Sequence, residues 1–174
     1  MALLAGLSVV STSQSIRTRN GFTWEPILEV AALFIGIFVA MIPATALLQA
    51  NGDALGVTAP WQYFWATGSL SAFLDNAPTY VTFAAMACGT DPTCTSAENL
   101  APLATGDFAP VLQAISLGAV FCGAGSYIGN GPNFMVRAIA EQSGYKMPSF
   151  FGYCGYAAAF LGPVFVLVTL VYLL

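Results

Sequence analysis

Gly123-Ala-Gly-Ser-Tyr-Ile-Gly-Asn-Gly-Pro-Asn133 stands in the middle of 29 residues, Phe108 to Val136, that carry no charge. A run of that length could cross the roughly 30 Å hydrocarbon core of a bilayer as a helix. Its centre is nevertheless a poor helix: four glycines and a proline would cost roughly 7 kcal/mol against alanine. The stretch predicts a broken helix whose second limb runs from about Pro132 to Glu141. Unpaired backbone groups cannot face hydrocarbon, so a break at membrane depth must be buried in protein or line a wet cavity.

The preceding apolar block, Trp61 to Cys88, is interrupted in the same way by Leu74-Asp75-Asn76-Ala77-Pro78-Thr79. Proline removes a helix hydrogen bond and disfavours helical backbone in the residue before it. The two arms, Trp61 to Leu74 and Thr79 to Cys88, are each too short to cross alone. Either the block is one kinked span, or it is a re-entrant hairpin that enters and leaves by one face. Arg17 and Arg19 precede the first apolar block, and Arg137 and Lys146 follow the second break. The loop from Gly89 to Asp107 carries Asp91, Glu98 and Asp107 with no basic residue. A hairpin puts both basic pairs on one face and the acidic loop on the other, so the positive-inside rule favours it.

Outside these breaks the chain reads as ordinary spans, over 26–49 and 147–174, with the hairpin over 60–89 and the broken helix over 107–141. Pro26 suits a first helical turn, with Glu25 and Glu29 near the positive helix end, where Glu29 is read as a capping charge. Pro148 and Pro163 suggest a helix start and a kink. Residues 1–25 read as the tail of a preceding span followed by a cytoplasmic loop. Trp61, Tyr63, Phe64 and Trp65 read as an interfacial aromatic belt.

Composition agrees. Hydrophobic residues make up 57% and charged residues only 7%, too few to clothe a soluble surface of this size. With a net charge of −4 and no basic patch, nothing invites nucleic acid. The absence of histidine removes Ser-His and Cys-His catalysis, and no cofactor fingerprint is visible, so an enzyme is not expected. Cys88, Cys94, Cys122 and Cys154 lack zinc-site spacing. Cys88 and Cys94 could pair if their loop faces an oxidising side, but free, buried thiols are the favoured expectation.

Both breaks carry ion-binding chemistry. The first offers Ser71, Asp75, Asn76 and Thr79, and the second Ser126, Tyr127, Asn130 and Asn133. Discontinuous helices supply carbonyls for cations and half-helix N-termini for anions. Asp75 is the most informative residue: an ionisable group at membrane depth usually marks an ion path or proton relay. The competing reading is a carboxylate that caps the half-helix after it.

Residues 64–80, Phe-Trp-Ala-Thr-Gly-Ser-Leu-Ser-Ala-Phe-Leu-Asp-Asn-Ala-Pro-Thr-Tyr, and 125–136, Gly-Ser-Tyr-Ile-Gly-Asn-Gly-Pro-Asn-Phe-Met-Val, resemble the ion transporter superfamily. The likeness is to its bacterial sodium/proton antiporters and citrate transporters. It implies an all-α integral membrane fold corresponding to one inverted repeat, the C-terminal half of such a transporter. That half holds a re-entrant hairpin followed by a broken transmembrane helix. A missing N-terminal half, a homodimer and a multi-pass location in the bacterial inner membrane are implied with it. Carried over, Asp75, Asn76 and Thr79 occupy the hairpin tip and Ser126, Asn130 and Asn133 the helix break, with Asp75 and Asn76 as sodium ligands. No cofactor is expected beyond sodium and protons as transported or coupling ions. The tip reads Asp-Asn where carboxylate carriers typically have Ser-Asn-Thr-like tips. The leading expectation is therefore sodium/proton antiport, with citrate or another organic anion as the alternative and a non-transporting subunit or fragment as the third.

Overall fold

The structure, a computed structural model, describes residues 2–19, 24–96 and 99–174. The side chain of Glu29 and the whole of Glu98 lie outside the described residues. Met1–Val39 and Ala40–Leu174 form two compact units.

The first unit holds α1 (Ala2–Ser11), α2 (Gln14–Arg19) and the opening turns of α3 (Glu25–Asn51). The last carbonyls of any helix lack intrahelical partners. Here the Arg17 guanidinium folds back to donate to the carbonyls of Ser8 and Val9 at the end of α1.

The second unit begins with the rest of α3 and a short 3-10 turn, Gly52–Leu55, that ends on Gly56 at φ 66°. Then follow α4 (Pro60–Ser71), α5 (Asn76–Thr90), α6 (Ala101–Thr105) and α7 (Ala109–Cys122). A 3-10 turn, Gly123–Gly125, leads to α8 (Gly131–Gln142), and α9 (Phe150–Val168) ends in a π turn over Thr169–Leu173. Local chemistry sets these starts. Pro60 opens α4, and the Gln62 side chain reaches back to accept from the N–H groups of Thr58 (2.9 Å) and Ala59 (3.0 Å). Ser149 caps α9 by accepting from the Gly152 N–H.

The core lies where α4, α5 and α7 meet, around Tyr63, Phe64, Met86, Leu103 and Ile115. Helices α4 and α7 approach closest because glycines face each other across them. A Cβ on Gly118 would lie 2.5 Å from the Phe64 carbonyl oxygen, and one on Gly68 would strike the Cys122 sulfur. Tyr63 and Phe64 are fully buried, which corrects their reading as belt residues. Trp65 is half-buried and donates from its indole to the Thr169 hydroxyl at 3.1 Å, while Trp61 stays exposed.

Among the described residues, two helices are long and apolar enough to cross a membrane, over Phe34–Leu55 and Phe150–Leu173. Their side chains are largely uncovered: Leu47, Phe151, Phe160, Leu167 and Val171 are among many exposed apolar groups. Water would penalise such a surface heavily and a bilayer would not. These helices point to a membrane protein.

Cys88 and Cys94 form a disulfide, against the favoured expectation of free thiols. The loop makes the pairing easy. The Asp91 carboxylate accepts from the Thr93 N–H and hydroxyl, both at 2.8 Å, and the Cys94 N–H bonds to the Asp91 carbonyl. That tight turn leaves the two Cα atoms 5.1 Å apart, within disulfide reach. Cys122 and Cys154 are free.

Candidate functional site

The turn between α4 and α5 and the break between α7 and α8 lie against each other. Asn76 is the hinge pin. With its amide nitrogen inward, it donates to the carbonyls of Ala119 (2.9 Å) and Gly129 (3.1 Å) and meets the Ser71 hydroxyl at 3.0 Å. Ser71 donates in turn to the Ala119 carbonyl at 2.6 Å, tying the end of α4 to α7. From the other side Ser126 donates to the Ala72 carbonyl and accepts from the N–H groups of Ile128 and Gly129, both at 3.1 Å. Asn133 closes the break on itself, donating to the carbonyls of Gly123 and Ser126 at 3.0 Å each.

Glycines make this seam physically available. A Cβ on Gly123 would collide with the Asn76 amide oxygen position, and one on Gly129 would lie 2.6 Å from the Gly123 carbonyl and 2.8 Å from that of Ala72. The cluster is therefore a close-approach surface as well as a helix breaker. Two tyrosines hold it from behind. Tyr127 stacks on Tyr153 with ring centroids 4.2 Å apart, and Arg137 lies over the Tyr127 ring at 4.6 Å. The Tyr127 hydroxyl donates to the Pro148 carbonyl and the Tyr153 hydroxyl to the Ala124 carbonyl, each at 3.1 Å. Arg137 also pairs with Glu141 at 3.1 Å.

The six residues singled out from sequence thus divide. Asn76, Ser126 and Asn133 are engaged with backbone, and Thr79 is buried with its hydroxyl on the Asp75 carbonyl at 3.0 Å. Asp75 and Asn130 are different. Each occupies the N-cap position of a half-helix, α5 and α8, with extended backbone, and neither side chain makes the capping bond. The carboxylate of Asp75 therefore does not cap its own helix. Pro78 and Pro132 carry no N–H and the N–H groups of Thr79 and Asn133 bond to backbone, which leaves those of Asn76, Ala77 and Gly131 without a side-chain partner. Helix N-termini carry partial positive charge and attract anions, while a carboxylate there attracts a cation. Several freed carbonyls expected to coordinate a cation, those of Ala72, Ala119, Gly123 and Ser126, are already occupied by protein donors. Among the described residues no cluster of three or more metal-ligating side chains occurs.

Sequence reading did not single out Tyr153, because one tyrosine in an apolar helix has no distinguishing signal. Nor did it single out the close-approach role of Gly68 and Gly118, which needs the facing helix to be seen. An apolar cavity of about 250 Å³ opens beside the seam, lined by Ala72, Cys122, Gly125, Cys154 and Phe165 among others. Its wall offers few polar atoms, and the chemistry lies at the helix starts instead.

No curated protein and no solved structure matches the chain. The family described as "Putative citrate transport" matches residues 1–173. With paired helix breaks, exposed apolar helices and that match over nearly its whole length, the chain belongs to this citrate-transport family of membrane proteins.

Proposed function

We propose that the chain takes part in secondary transport of a citrate-like carboxylate, driven by a cation that binds at Asp75. One observation carries the reading: two half-helices start beside one seam, and neither N-cap side chain caps its helix. The open N–H groups suit substrate carboxylates. Asp75 suits sodium or a proton, which would also screen its repulsion of the anion. The family description supports the carboxylate. Asn130 would add an amide ligand, while Asn76, Thr79, Ser126 and Asn133 hold the two helix starts in register.

The reading takes α4 and α5 as a re-entrant hairpin and the chain as one of two inverted halves. It assigns the working protein to a homodimer in the bacterial inner membrane. A second reading, sodium/proton antiport without an organic anion, is favoured by the carboxylate of Asp75 itself, since carboxylate is a poor neighbour for citrate.

Proteoliposome transport separates them. Sodium- or proton-driven uptake of labelled citrate, lost in Asp75→Asn, is the expected result. Sodium-triggered proton movement that ignores citrate would make antiport the function. Full citrate uptake by Asp75→Asn would remove the cation from this position.

A further inference from the structure

The buried face of α4 carries a line of hydroxyls, Tyr63, Thr67 and Ser71, spaced four residues apart and all fully buried. Residues at that spacing stack on one helix face, about 6 Å apart along the axis. Ser71 is satisfied at the seam. The Thr67 hydroxyl is not: it finds no hydrogen-bond partner in the protein, and the Tyr63 hydroxyl has only the Thr90 side chain beside it.

This is unusual within the molecule. A helical hydroxyl can bond to the carbonyl four residues back, as Thr45, Thr79, Thr82, Ser116 and Thr169 all do here. Thr67, completely buried, makes neither that bond nor one across to α7 like that of Ser71. An unmet buried hydroxyl is destabilising, so valine, with the same shape, would serve packing better. The far end of the line is acidic. Tyr63 stands beside Thr90 and within electrostatic reach of the exposed Asp53. No lysine or arginine occurs anywhere over 20–136. Acidic surfaces concentrate cations at their mouths.

We propose that Tyr63, Thr67 and Ser71 form a cation path, leading from the exposed carboxylate of Asp53 to the Asp75–Asn76 turn. A monovalent cation, sodium or proton, reaches Asp75 along these hydroxyl oxygens. The path serves the transport reading above, since it supplies the cation that reading needs, but its test does not depend on citrate.

The measurement is gradient-driven entry of radioactive sodium, and of protons by an internal dye, into proteoliposomes of wild type, Thr67→Val and Thr67→Ser. Thr67→Val should slow entry of the carried ion about tenfold, equivalent to one lost hydrogen bond in the barrier, and Thr67→Ser should restore it. Thermal unfolding in detergent should show Thr67→Val at least as stable as wild type, which separates a lost path from a lost fold. Citrate affinity by calorimetry should not change. If both ions enter Thr67→Val at the wild-type rate, the path is overturned, whatever citrate does. If wild type carries neither ion, the path has no cargo and falls as well. Absent citrate binding with a slowed Thr67→Val would instead leave the path standing and remove the anion.

Discussion

Asn76 meets two carbonyl oxygens and a hydroxyl in a space that only the missing Cβ of Gly123 leaves open. Its amide must donate there, so charge matters more than size. Asn76→Asp should destabilise more than Asn76→Ala, because a carboxylate would face the Ala119 and Gly129 carbonyls; the alanine should itself cost about 1–3 kcal/mol. Gly129→Ala should cost about 1–3 kcal/mol by overpacking against backbone that cannot yield. Gly155→Ala in α9, where a Cβ meets nothing within 4 Å, should instead gain roughly 0.5–1 kcal/mol. Unfolding midpoints of the variants in one detergent check all of these. Asn130 and Asn133 looked alike in the sequence as amides at one break. Only tertiary contact separates a side chain that seals backbone from one left available.

The helix break and the turn were legible because glycine and proline act locally. The second limb, expected from about Pro132, starts at Gly131, and α4, the first arm of the interrupted block, ends at Ser71 instead of Leu74. The difference at α4 is small, because backbone bonds of helical spacing run on from Ala72 to Gly68 and from Leu74 to Leu70. Pro78 falls inside the first turn of α5, where its missing N–H costs nothing, so it marks a helix start and not the break itself. Tyr153 braces the break from α9 by stacking on Tyr127. Tyr153→Phe keeps the ring stack and loses the hydrogen bond to Ala124, at about 1 kcal/mol. Tyr153→Ala should lose both and lower the unfolding midpoint further.

Across the whole molecule, the features hardest to read were those inside uniformly apolar helices. A membrane helix shows no polar stripe to mark its buried side, so Tyr63 and Phe64 were indistinguishable from belt residues until their neighbours were in place. The cysteines posed the same difficulty: pairing depends on the turn that Asp91 and Thr93 build. Cys94→Ser should free the Cys88 thiol, detected by mass after alkylation, and cost about 2 kcal/mol on the loop-entropy account of so short a ring. The pairing of Cys88 with Cys94 also changes what a thiol-directed probe would see. With two of the four cysteines bonded and Cys122 buried, Cys154 is the one partly accessible thiol, so unmutated protein handled without reductant comes with a single address for a fluorophore or spin label on α9.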